Sequence, residues 1–264
     1  MLRLIGIPYD KNSSYLQGPA EAPSFIRLMD TEGSANRFCE HGKLIEPGVN
    51  FEDKGDLELL QLDSENAYQN IKKAIAMHLT ETDNIISLGG DHSVSFPIIE
   101  AFSERYQNLH VLHIDAHADL YENYEDNPYS HASPFARLLE KKLLASLTQV
   151  GIRTLNTHQK EQAEKYGVIL IEMKDFNLDF IRDLQGPLYI SLDLDGLDPA
   201  FAPGVSHYEP GGLSTRQVIE IIQKIQVPIV GADIVELNPK RDINNMTAMV
   251  AYKFFKELAS KMIE

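Results

Sequence analysis

With a single cysteine, Cys39, the chain can close no internal disulfide, and a reducing compartment, the cytoplasm, is the expected location. Basic residues are scarce as well: 24 Lys and Arg stand against 39 Asp and Glu, a formal net charge of -15. Such a balance repels phosphate backbones and anionic lipid, which argues against nucleic acid or a membrane as partner and favours a small cationic ligand. No stretch approaches the roughly 20 consecutive apolar residues that a membrane-crossing helix requires. The apolar start, residues 1–7, is interrupted by Arg3 and ended by Pro8, Tyr9 and Asp10, and it reads as a first strand rather than a targeting segment. Repeats, low-complexity tracts and linkers are missing too, so residues 1–264 are expected to form one domain.

What the sequence does contain is an alternation of two patterns. Short apolar runs at 2–7, 85–88, 111–114, 147–152, 168–171, 188–192 and 229–230 show little in/out alternation, as expected of parallel strands covered on both faces. Between them, Ala67, Ile71, Ala74, Ile75 and Leu79 fall at helical spacing, as do Ala248, Tyr252, Phe255, Ala259 and Met262. Ser214, with Gln217 three residues on, forms a capping-box pattern ahead of Val218, Ile221 and Ile222. The fold class predicted is α/β, a three-layer α/β/α arrangement with a central parallel sheet. Pro and Gly gather at 9–23 and 196–212, which are expected to be long ordered loops. Ligands of such sheets bind at the carboxyl ends of the strands.

Four of the apolar runs end in residues a core would not choose. They lead into Gly89-Gly90-Asp91-His92-Ser93, Asp115-Ala116-His117-Ala118-Asp119, Asp193-Leu194-Asp195, and Asp233 followed by Glu236. The glycine pair is no phosphate cradle, lacking the Gly-Lys-Ser/Thr end of a P-loop. Carboxylates at poorly solvated strand ends are costly unless paired, and no Lys or Arg lies within these motifs. Any one of these residues alone reads as a turn, a cap or a core histidine. Together, His92, Asp115, His117, Asp119, Asp193 and Asp195 suit two divalent ions, and oxygen-rich ligation without thiolate favours Mn²⁺ over structural zinc. Such a metal pair can activate a water molecule for hydrolysis. Residues two apart on a strand share a face, so extended strand ends are expected to present both Asp clusters to one site. His113 is expected to support this set rather than join it, with Asp91 and Asp198 orienting ligands or tightening loops.

In order and separation these motifs resemble the signatures of the ureohydrolases, the arginase and agmatinase family. The resemblance runs from Gly6-Ile7-Pro8-Tyr9-Asp10 to Glu236-Leu237-Asn238-Pro239. It implies an arginase-like fold with two Mn²⁺ per chain: His92 and Asp119 on one ion, His117 and Asp195 on the other, and Asp115 and Asp193 bridging both. It also implies catalytic roles for Asp115 as proton relay, for His131 at the site mouth, and for Glu236 on the guanidinium. Substrate binding falls to His131, Glu236, Asn156 and Glu122, in a homo-oligomer, trimer or hexamer. The implied reaction cleaves a guanidino compound to urea and an amine. The loop at 120–128, with Glu122, Glu125 and Asp126, is more acidic than the corresponding arginase loop and predicts agmatine, giving putrescine and urea. Arginine and other ω-guanidino acids (guanidinobutyrate, guanidinopropionate, formiminoglutamate) are the alternatives. Rival readings are a catalytically silent metal-binding relative and the one-zinc deacetylase architecture. Val205-Ser206-His207-Tyr208 departs from the Thr-Gly-Thr-Pro type of segment common in the family.

Overall fold

The structure, a computed structural model, describes residues 1–32, 36–79 and 84–263. Eight strands, β1 (Leu2–Gly6), β2 (Phe51–Asp56), β3 (Ile85–Leu88), β4 (His110–Ile114), β5 (Ser146–Ile152), β6 (Ile169–Glu172), β7 (Leu188–Asp193) and β8 (Ile229–Val235), build one sheet. Every pair is parallel, and the order is β2-β1-β3-β8-β7-β4-β5-β6. Helices α1 (Ala22–Thr31), α6 (Thr215–Lys224) and α7 (Met246–Met262) share a core with Leu2, Leu4, Leu112, Ile114, Ile190 and Leu192 on one face of the sheet. Helices α2 (Ser64–His78), α3 (Ser95–Arg105), α4 (Pro134–Glu140) and α5 (Thr157–Tyr166) cover Ile5, Val111, Leu147 and Tyr189 on the other. The three-layer α/β/α expectation holds. Strand residues divide between the two layers by the alternation of the pleat.

That alternation carries polar residues as well. Register pairs His113 with Ser191, Ser191 with Asp233, and Asp233 with Ser87, so four adjacent strands contribute one buried polar row to the α2–α5 face. The site lies one step further along, at the carboxyl ends.

Several elements differ from their sequence patterns. Helix α1 begins inside the expected loop, because Pro23 sits in its first turn, where the missing N–H costs no hydrogen bond. Strand β2 reads Phe-Glu-Asp-Lys-Gly-Asp and is exposed beyond Phe51, a charged edge strand without an apolar run. Strand β8 continues from 230 to Val235, through Asp233. Ser214 and Gln217 form the expected capping box of α6.

Far from the site, Arg216 of α6 grips both oxygens of Glu40 at 2.7 Å, and the Glu40 N–H donates to the fully buried Glu257 of α7 at 2.9 Å. The Arg216 guanidinium holds Glu40 down at about 2. Burial pushes Glu257 up, but Lys253, Gln223 and the Glu40 N–H outweigh it and leave this carboxyl lowered too. Carboxyls lowered by folding contribute stability above their ordinary value of 4.5 and lose it as pH falls toward the folded value. The melting temperature is therefore expected to drop between pH about 4.5 and about 2, and more shallowly in Glu40→Gln. Calorimetry across that range checks this; identical slopes in the two proteins would contradict it.

Candidate metal centre

Four strand ends build the site, but through tight turns rather than by extending the strands. Strand β4 stops at Ile114, and Asp115 turns the chain by accepting the His117 N–H at 2.5 Å through Oδ1. Asp193 does the same for the Asp195 N–H at 2.7 Å, opening a 3₁₀ turn. These Asx turns, which let an Asp side chain reach the backbone two residues on, replace the extended geometry expected from the i, i+2 spacing. Asp119 and Glu236 hold left-handed backbone at φ 52° and 64°, strain that persists where the surroundings impose a functional geometry. His92 starts a 3₁₀ turn ahead of α3. Beside it Gly90 lies so close to the loop at 9–23 that a Cβ would stand 1.8 Å from the Tyr9 carbonyl oxygen, which only glycine permits.

The six expected ligands converge. Nδ1 of His92 lies 3.1 Å from Asp115 Oδ2, 3.1 Å from Asp119 Oδ2 and 3.0 Å from Asp193 Oδ2. Nδ1 of His117 lies 3.1 Å from Asp195 Oδ2 and 3.3 Å from Asp115 Oδ1. His92 Nδ1 is buried and has no hydrogen-bond partner among the described residues, although three carboxylates surround it. The reason is on its other nitrogen. Asp233 accepts from the Ser191 hydroxyl at 2.7 Å and from Tyr189 at 2.8 Å, so the Ser191 oxygen is left to accept from His92 Nε2 at 3.0 Å. That chain puts the imidazole proton on Nε2 and turns a bare lone pair toward the aspartates.

A lone pair facing three carboxylate oxygens is repulsive unless a cation lies among them. Burial, with Asp195 and Asp115 as neighbours, pushes Asp193 well above the ordinary carboxylate range, and a cation would relieve that crowding. The donor set therefore fits divalent metal. His113 supports it as expected: Nε2 lies 2.7 Å from Asp115 Oδ2, Gln149 Nε2 donates to Nδ1 at 2.9 Å, and the ring stacks on Phe135.

Above the cluster a cavity of about 230 Å³ opens, lined by His92, His117, Asp119, Asp193, Asp195, His131 and Glu236, with Ser14, Tyr121, Tyr124, Thr154, Gln159, His207 and Glu209 completing its walls. Glu236 Oε1 accepts the His92 backbone N–H at 2.9 Å and His131 Nδ1 at 2.8 Å; its second oxygen makes no hydrogen bond among the described residues. Burial opposes charge on His131, but Glu236, Asp91 and Asp119 push it up to about 9. Its Nε2 lies 2.8 Å from the Ser14 hydroxyl oxygen, to which the charged ring donates. Arg241, five residues beyond Glu236, lies over the Tyr208 ring.

Two expected substrate residues stand apart from this cavity. Glu122 is exposed and bonds Gln162 at 2.7 Å and Lys165 at 3.5 Å. Asn156 caps α5 by accepting the Gln159 N–H and donates to the Tyr121 hydroxyl, behind the cavity wall. Glu125 and Asp126 are exposed. Sequence reasoning passed over His207 and Glu209; the signal available was the unusual 205–208 segment that carries the first and adjoins the second.

A family model described as the Arginase family matches residues 1–260. "Arginase 1, mitochondrial" of Arabidopsis thaliana is 44% identical over 98% of this chain and 80% of its own. The N(1)-aminopropylagmatine ureohydrolase of Thermus thermophilus is 37% identical over 93% of this chain and 85% of its own. Among solved structures, the arginase from Medicago truncatula superposes with a TM-score of 0.94 at 38% identity, covering 100% of this chain and 87% of that one. With the His/Asp cluster and the match along nearly the whole length, the chain belongs to the arginase family, hydrolases acting on guanidino C–N bonds.

Proposed function

We propose that the protein hydrolyses L-arginine to L-ornithine and urea. The observation that carries this reading is the similarity to plant arginases across 98% of the chain. It replaces the agmatine expectation, which rested on the acidic residues of the 120–128 loop: Glu122 bonds Gln162 and Lys165, and Glu125 and Asp126 are exposed, while the loop lends the cavity Tyr121 and Tyr124. The Thermus relative, named for aminopropylagmatine and less similar at 37%, supports agmatine-type substrates as the second reading.

His92, Asp119 and the two bridging aspartates Asp115 and Asp193 would hold one ion, and His117 and Asp195 with the same bridges the other. Carboxylate-rich ligation with one imidazole per ion supports Mn²⁺. When bound, the pair supplies an activated water and Lewis acidity. The chain's own residues do the rest. The uncommitted oxygen of Glu236 faces the cavity and accepts guanidinium N–H groups, while its other oxygen is tied to His92 and His131 and cannot swing away. Asp115, fixed by His113 and the His117 N–H, is placed to pass a proton toward the leaving nitrogen. His131, raised by its acidic neighbours, holds the proton that the departing amine requires.

At the outer wall, Glu209 is anchored through its backbone carbonyl by Arg153 Nε at 2.9 Å and Nη2 at 2.6 Å. Its carboxylate forms no ion pair among the described residues and suits the substrate's ammonium. Glu209→Gln is expected to lower kcat/KM for arginine roughly tenfold while leaving 4-guanidinobutyrate, which has no ammonium, within about twofold. Equal losses on both substrates would remove Glu209 from recognition. Urea release from arginine and agmatine, compared as kcat/KM in Mn²⁺, tests the reading as a whole.

A further inference from the structure

Each nitrogen of His131 has a partner, and only one of those partners leads outward. The backbone N–H donates to the Asn12 carbonyl at 3.2 Å, and Nδ1 lies 2.8 Å from Glu236 Oε1. Asn12, His131 and Glu236 are all buried. The remaining nitrogen, Nε2, meets Ser14 alone among the described residues, with the hydroxyl oxygen at 2.8 Å and the backbone nitrogen at 3.1 Å. Ser14 is exposed and lines the cavity. The segment that carries it is pinned to the turn before His92, because the Asn12 N–H and the Ser13 hydroxyl each donate to Asp91 Oδ2 at 3.1 Å. The Asn12 amide is held in turn by Ser93 at 3.1 Å and Ser64 at 2.7 Å. Ser14 is thus set opposite the ring by its neighbours, not by its own side chain.

A proton between Nδ1 and Glu236 is committed to that pair, so the proton His131 gives and regains is the one on Nε2. Ser14 serves both states of that nitrogen without moving. A protonated Nε2 donates to the hydroxyl oxygen; a bare Nε2 accepts from the hydroxyl and from the backbone N–H. We infer that the Ser14 hydroxyl relays protons between His131 Nε2 and the solvent of the cavity mouth. In the recharging direction, an acid in solution gives a proton to Ser14 Oγ while the hydroxyl hands its own proton to Nε2. The reverse passage returns one, and the hydroxyl is regenerated each time. Ser14 acts through His131, as a positioning residue for its proton, and not on the guanidinium. The inference rests on the ureohydrolase reading, which makes His131 a proton donor.

The test compares Ser14→Ala, which deletes the hydroxyl and keeps the backbone N–H, with Ser14→Thr, which keeps both. Ser14 is exposed, so neither substitution threatens the fold. For the Mn²⁺-loaded proteins, kcat and KM for arginine are measured in dilute buffer, with and without added imidazole, alongside metal content. Ser14→Ala is expected to lower kcat about tenfold, less than the roughly 10²- to 10⁴-fold that a positioned acid–base group contributes, because water stands in for the hydroxyl. KM and metal content should stay as in the unmodified protein. Imidazole, which exchanges protons near neutral pH, should return most of the lost rate without accelerating the unmodified protein, and Ser14→Thr should turn over like the latter. A merely structural Ser14 would move KM or metal content, or lose rate that imidazole does not return. Any of these, or an unchanged kcat in Ser14→Ala, would overturn the relay. Independently of turnover, nitrogen NMR of the protein loaded with Zn²⁺, a diamagnetic ion, reads the His131 ring. Its Nε2 signal should move in Ser14→Ala and stay in Ser14→Thr; one position in all three proteins would take the hydroxyl off the ring. Absence of urea release by the unmodified protein would instead sink the functional reading, and the Nε2 signal would still report on Ser14.

Discussion

Asp193→Asn is expected to lose at least one divalent ion per chain and to turn over more than ~100-fold more slowly. Removing a group that merely supports a metal ligand typically costs 10- to 100-fold, so losing a bridging ligand should exceed that range. Asp193 lies 3.0 Å from the bare nitrogen of His92 and is crowded by Asp115 and Asp195. The two effects of the substitution should therefore have opposite signs. Without metal, the variant should melt no lower than the unmodified protein, because burial beside Asp195 and Asp115 already pushes Asp193 toward its neutral acid, which the amide replaces without loss of charge. With metal, the unmodified protein should gain stability by mass action and the variant should gain less. Metal analysis and melting curves with and without Mn²⁺ read both signs. Full metal occupancy together with an unmodified rate would remove Asp193 from the bridge.

Glu236→Gln should separate substrate binding from metal binding. The carboxylate touches no ligand atom of the cluster; it holds the His92 backbone N–H, the His131 ring and, through its free oxygen, the cavity. Replacing it removes the charge opposite the guanidinium and the anion that raises His131. An expected loss of about 10² to 10³ in kcat/KM matches the removal of one preorganised electrostatic contact. Metal content should be unchanged. A loss of only a few fold would take the guanidinium away from Glu236, and loss of metal would make it a structural support of His92.

The fold was legible where burial on both faces left unbroken apolar runs, as in β3, β4 and β7, and illegible where an element meets solvent. Strand β2 carries Glu52, Asp53, Lys54 and Asp56, so only its pairing with β1 marks it as a strand. The cluster was legible because Asp and His ended four such runs. The turns that gather it were not, because strand spacing and an Asx turn place residues i and i+2 on the same side by different geometry. The supporting row of Ser87, His113, Ser191 and Asp233 left a trace in the sequence as single polar residues inside apolar strands, but strand order and register are needed to align them. Substrate recognition was least legible. Charge alone drew attention to Glu122, while that loop lends the cavity wall Tyr121 and Tyr124, and His207 and Glu209 join them from a loop far along the chain.

The most direct measurement is urea release by the folded protein carrying two Mn²⁺ per chain, supplied in turn with arginine, agmatine and 4-guanidinobutyrate. The account predicts the highest kcat/KM for arginine, with ornithine formed in equal amount to urea. No urea from any of the three, with both ions bound, would contradict it.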